Sequence, residues 1–123
     1  MIFFIKAILM AVLPFYRVDF PIDQLNHEFT YREYSQGKEI GSRVVTESEY
    51  IALKKVLEEE KAGWKYDITT YAPEHIFSAS NMKIDCSEST IVVNFQVEAE
   101  TSWEQISKKN IKKQCPSIQI EKK

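Results

Sequence analysis

A capping box with a matching stop constrains this chain more than any other feature. Thr46 and Glu49 form a T-x-x-E pair, in which hydroxyl and carboxylate each satisfy a backbone N–H that a first helical turn leaves unpaired. Tyr50, Leu53, Val56 and Leu57 follow at i, i+3, i+6 and i+7, which places one apolar stripe on a helix predicted from Glu47 to Ala62. Gly63 can take the left-handed conformation that ends it. Glu58, Glu59 and Glu60 crowd the negative end of the helix dipole, with Lys61 as a partial offset.

What must bury that stripe is a sheet. Residues 28–34 and 40–45 flank Ser35-Gln36-Gly37-Lys38 as a first hairpin. The run 64–71 alternates and is rich in aromatic and β-branched residues, until Ala72-Pro73-Glu74 breaks it. His75 to Ala79 is a short further strand. Met82, Ile84 and Cys86 share one face of the next run, and Ile91, Val93, Phe95 and Val97 share one face of the run after the polar Ser87-Glu88-Ser89. Val92 beside Asn94 marks that strand as central or half covered on its second face. Residues 102–109 satisfy both helix and strand templates, and the strand is preferred because Trp103 and Ile106 then anchor opposite faces of a lysine-protected edge. The predicted fold is α+β, with one main helix packed on an antiparallel β-meander of four to six strands.

The 123 residues suit one domain, and 44% apolar with 28% charged residues is a globular composition. Residues 1–20 stand apart as an apolar N-terminal segment, and 21–123 form the domain, with a lysine-rich C-terminal tail expected to be solvated. Within the N-terminal segment, 2–16 is apolar except for Lys6 and Pro14. The uninterrupted part, 7–15, is too short to span a bilayer but matches the core of an export signal. A buried element, or a start at Met10, fits as well. Export would place the chain in the cell envelope or periplasm, with membrane contact open to residues 2–16; otherwise it is cytoplasmic. Two cysteines, Cys86 and Cys115, permit one disulfide, which needs an oxidising compartment; two free thiols are the plainer reading.

Chemistry-bearing motifs are sparse. With three glycines, Gly37, Gly41 and Gly63, there is no phosphate-cradling loop. There is no G-x-S-x-G, no C-x-x-C, and neither His27 nor His75 stands at ligand spacing from a cysteine, so no metal or cofactor is expected. Glu74 beside His75 is a weak acid/base pair, because neighbours on a strand point to opposite faces. The net charge of −2 gives no field to steer nucleic acid, which is not expected as a partner.

By elimination the chain reads as a non-enzymatic protein that binds a protein partner, in the manner of a toxin-immunity or secretion-accessory protein. Trp64, Tyr66, Tyr71 and Trp103 are the candidate anchors, and Glu58, Glu59 and Glu60 the candidate acidic contacts. A second reading is a small-molecule-binding or lightly catalytic domain, with a pocket between sheet and helix lined by Trp64, Tyr66, Phe95 and Trp103. A third is an envelope-anchored structural protein.

Overall fold

A computed structural model describes residues 17–98 and 102–120. The expected readings of 2–16, 99–101 and 121–123 lie outside the described residues. Among the described residues the strands are β1 (Arg17–Val18), β2 (Thr30–Ser35), β3 (Lys38–Val44), β4 (Trp64–Tyr66), β5 (His75–Ser78), β6 (Met82–Cys86), β7 (Thr90–Phe95) and β8 (Glu104–Lys109), with one α-helix, α1 (Glu47–Glu59). They form one antiparallel sheet in the order β1-β4-β8-β7-β6-β5-β2-β3. The α+β class holds, but the sheet has eight strands among the described residues where four to six were expected.

Local chemistry accounts for the ends of these elements. The Thr46 hydroxyl accepts from the Glu49 N–H at 3.3 Å while the Glu49 carboxylate accepts from the Thr46 N–H at 2.9 Å. The helix stops three residues before the expected Ala62, because Glu60 turns inward. Its carboxylate meets the Lys108 ammonium at 2.8 Å, and its carbonyl accepts from the Trp64 indole at 2.7 Å. The first hairpin turns on Gln36 and Gly37, both at positive φ (50° and 80°), the combination a two-residue turn of matching twist requires.

Only part of the sheet is a meander. β5, β6, β7 and β8 follow one another, but β4 joins at the β8 edge and β5 joins β2. Successive antiparallel pairings make β4 and β5 parallel, with β8, β7 and β6 between them. Parallel strands cannot be joined by a hairpin. Residues 67–74 therefore cross the sheet instead of continuing the strand that the alternation of 64–71 suggested. Asp67 starts the departure, accepting the Thr69 N–H at 2.8 Å in an Asx turn. Helix α1 makes the opposite crossing from β3 to β4, so the sheet is held between a helix and a loop.

The register separates the two faces. Tyr31, Phe77, Ile84, Val93 and Ile106 stand opposite one another in an inner row, and with Tyr50, Leu53 and Leu57 of α1 they form the core. Arg32, Ile76, Asp85, Val92 and Ser107 form the matching outer row. As Val92 and Asn94 suggested, β7 is a central strand with Val92 buried on its second face, beneath the crossing loop.

Both termini of the described chain belong to the domain. β1 pairs with β4, and Phe20 is buried against Trp64, so residues 17–20 pack with the sheet. The C-terminal stretch keeps Lys112 and Lys113 exposed and turns its apolar residues inward. Ile118 is buried, Ile111 and Ile120 pack on the core, and the Gln119 carbonyl accepts from Arg43 Nε at 2.6 Å. Cys115 is bonded to Cys86, so the free-thiol reading is replaced by a disulfide across 29 residues.

Candidate functional site

Three exposed apolar side chains gather at one end of the sheet. Ile68 is 87% exposed, Val97 53% and Trp103 47%, well above what packed side chains of this size show. Ile68 follows β4, Val97 follows β7 and Trp103 precedes β8. The pairing of Phe95 with Glu104, and the bond from the Asp67 N–H to the Gln105 carbonyl at 3.0 Å, set these three strand ends side by side. Exposed Glu98 and Glu104 adjoin them. Isolated surface hydrophobics are ordinary; these three stand out because they lie on adjacent strand ends.

The other expected anchors are placed differently. Trp64 is fully buried and its indole N–H is committed to Glu60, so it offers no surface. Tyr66 is half buried on the inner side of β4, and burial raises its phenol. Tyr71 lies in the crossing loop and its hydroxyl donates to Asp67. The three acids do not make one face. Glu58 is exposed, Glu59 sits 3.9 Å from Lys113, and Glu60 is buried with a pKa lowered chiefly by the Lys108 hydrogen bond. Of the expected binding residues, Trp103 alone joins the apolar end.

Glu74 and His75 separate as neighbours on a strand should. The Glu74 N–H donates to Asp85 on the outer side, while His75 turns to β2. There the Tyr31 hydroxyl donates to Glu33 at 2.8 Å and lies 2.7 Å from His75 Nδ1. The hydroxyl thus sits between a carboxylate and an imidazole, within hydrogen-bond distance of both. Burial and the Glu33 carboxylate push the Tyr31 phenol above its ordinary value. This group lines a notch of about 370 Å³ beside the disulfide. The imidazole's acidic partner is Glu33, which the sequence order concealed. The two sulfurs in the notch are consumed in their bond, and the Ser87 hydroxyl donates to the Thr90 carbonyl at 3.0 Å.

A larger cleft, about 540 Å³, opens on the outer face between the sheet and the crossing loop. The loop is tied down at both ends. At one end the Ser107 hydroxyl donates to Asp67 at 2.7 Å, and Gln105 donates to the Asp67 and Thr69 carbonyls at 2.8 Å each. At the other, the Glu74 N–H meets Asp85 at 3.2 Å and its carbonyl accepts from the Tyr34 N–H at 2.8 Å. Burial would raise the Asp67 carboxyl, but hydrogen bonds from Tyr71, Ser107 and Thr69 outweigh it and hold the group down at about 2. Asp85 goes the other way: burial raises it, against the backbone N–H groups of Glu74 and His75. Arg32, Tyr34, Tyr71, Lys83, Asp85 and Asn94 face this space. Among the described residues, Leu53, Leu57, Trp64 and Val93 are wholly buried between sheet and helix, where the interior pocket was expected.

No protein-family model, curated protein or solved structure matches the chain. Among the described residues, no three His, Cys, Asp or Glu side chains converge as a metal-ligand set, and no helix is long and apolar enough to cross a membrane.

Proposed function

We propose that this chain is a disulfide-stapled domain that binds one protein partner through the apolar sheet end formed by Ile68, Val97 and Trp103. The observation that carries this reading is the contrast between a filled interior and an uncovered apolar cluster at the tip of the sheet. Tryptophan at the centre of an apolar patch is the side chain that most often dominates contact energy between proteins. Glu98 and Glu104 beside it favour a partner whose receiving pocket is apolar with a basic rim. A Cys86–Cys115 bond persists only in an oxidising compartment, so the partner is expected outside the reducing cytosol. An inhibitor or escort of a basic secreted protein fits these terms.

The test is affinity capture with the full chain as bait, against a double variant, Ile68→Ser with Trp103→Ala. Neither position belongs to the buried core, so the variant is expected to keep the unfolding midpoint of the parent. One stoichiometric partner, held by the parent, released by the variant and weakened by added salt, is the expected result. Equal capture by both proteins would remove the sheet end from the interaction and the proposal with it.

A further inference from the structure

The outer-face cleft holds two opposite charges apart. Lys83 and Asp85 stand two residues apart on the same side of β6, and both line it. Same-side neighbours on a strand are separated by roughly 6.5 Å. Neither makes an ion pair among the described residues, although opposite charges this close could reach one another. The reason lies in the crossing loop. Backbone N–H groups of Glu74 and His75 draw the Asp85 carboxylate toward the loop and away from the lysine. Arg32, the other cation in the cleft, is already paired with Glu39 at 3.0 Å.

The surroundings of the two charges differ. Asp85 lies between Ile76 and Val92 on the neighbouring strands, both buried, so its carboxylate sits in apolar company. Lys83 is exposed and stands opposite Asn94, a side chain that both donates and accepts hydrogen bonds. Tyr34 and Tyr71 flank the space with ring surface. A partly desolvated carboxylate without a cation is costly, and a ligand ammonium is the group that would relieve it.

We propose that this cleft binds a small zwitterion of the amino-acid class, its ammonium on Asp85 and its carboxylate on Lys83 and Asn94. The geometry suits that assignment. Charge-assisted contacts of about 2.8 Å at each end are longer in sum than the strand repeat, and the long, exposed Lys83 side chain has the reach to make up the difference. The side chain of the ligand then meets the tyrosine rings. At about 540 Å³ the cleft lies within the range of small-molecule sites and accommodates a large amino acid or a dipeptide. Burial of Asp85 by the ligand adds a pH dependence: binding weakens as acid protonates the carboxylate.

The site is distinct from the apolar sheet end and stands or falls separately. Isothermal titration of the full chain with L-alanine, L-leucine, L-phenylalanine and dialanine tests it, alongside N-acetyl-leucine and leucine amide. At least one zwitterion should bind, with each single-charge derivative weaker by about tenfold or more. Asp85→Asn and Lys83→Met should each abolish that binding while circular dichroism and the unfolding midpoint show a folded protein. No heat from any zwitterion up to about 10 mM overturns the proposal, since weaker binding falls below any useful recognition. So does equal binding of N-acetyl-leucine, or binding that both variants retain. A neutral saccharide binding where the amino acids fail would reassign the cleft.

Discussion

Strand β7 presents both faces of the sheet at once: Ile91, Val93 and Phe95 enter the core, whereas Val92 and Asn94 look out beneath the crossing loop. On the inner side Val93 packs between Ile84 and Ile106, charged side chains enter only at the strand ends as Lys108 and Glu104, and α1 seals the layer. On the outer side the cover is eight residues of loop, held by hydrogen bonds to Ser107, Gln105 and Asp85. Burial is therefore achieved by two different means. The inner face excludes water through shape, and the outer face through directed polar contacts that leave a cleft. Stability should concentrate on the first and recognition on the second.

That division can be broken by mutation, and the largest effect is expected inside. Trp64→Ala removes a fully buried ring and the donor that caps the Glu60 carbonyl, so a loss of about 3–5 kcal/mol is expected in urea unfolding. Asn94→Ala, on the same sheet but the outer side, should change stability by no more than about 0.5 kcal/mol. Similar losses at the two positions would mean that the faces are not separate in energy. Next in size is the disulfide. Replacing Cys86 and Cys115 together by alanine opens a link across 29 residues, and chain entropy places the loss at about 3–4 kcal/mol. Because Cys86 belongs to the inner side of β6, this loss should be accompanied by release of the tail, read as faster amide exchange at Ile118.

How much of this was legible in the residues follows the same division. The inner face was read almost completely, because alternation in 82–86 and 90–95 and the stripe on α1 are local patterns that burial enforces. The helix start was equally plain, since its cap is written in Thr46 and Glu49. The outer face was not. Tyr66 to Tyr71 continues to alternate after the strand has ended, and only the strand order reveals that residue 67 must leave the sheet. The partner of His75 lay 42 positions upstream at Glu33, joined by the pairing of β2 with β5, and no spacing rule reaches that far. Trp64 and Trp103 look alike in sequence, yet one fills the core and the other stands at its rim. Ile68 was overlooked as a surface residue because it fits the apolar rhythm of the strand before it. Lys83 and Asp85 carried a faint signal, as the polar half of an alternating strand, but that half is usually solvent-facing and silent.

A smaller effect should come from the loop's anchor. Asp67→Asn keeps the shape of the side chain but weakens the bonds from Tyr71 and Ser107, for an expected loss of about 1–2 kcal/mol at neutral pH. The sign of the pH dependence follows from its depressed pKa. With the folded carboxyl at about 2 and the unfolded one near the ordinary value of about 4, its contribution is complete above the higher value and disappears as pH falls toward the lower. Glu49, held at about 2 first by the Arg43 hydrogen bond, behaves alike in α1. Acid unfolding of the parent should thus steepen below about pH 4, and Asp67→Asn should flatten part of that slope while leaving the Glu49 share intact.

The smallest expected change has the opposite sign. Asp85 is raised by burial, so in the folded chain it keeps its proton to a higher pH than in the unfolded chain. Stability from this group therefore falls as pH rises through that window, and above it the ionised carboxylate is a standing cost. Asp85→Asn retains an acceptor for the Glu74 N–H but carries no charge, so the unfolding midpoint should rise slightly at neutral pH. The two curves should meet in acid, where both side chains are neutral. A lowered midpoint at neutral pH would show that the charge itself holds the loop. A raised one identifies a carboxylate that the fold would be steadier without, kept beneath a loop and within reach of an unpaired lysine. A carboxylate that opposes stability in this way is what the proposed ligand site on the outer face requires.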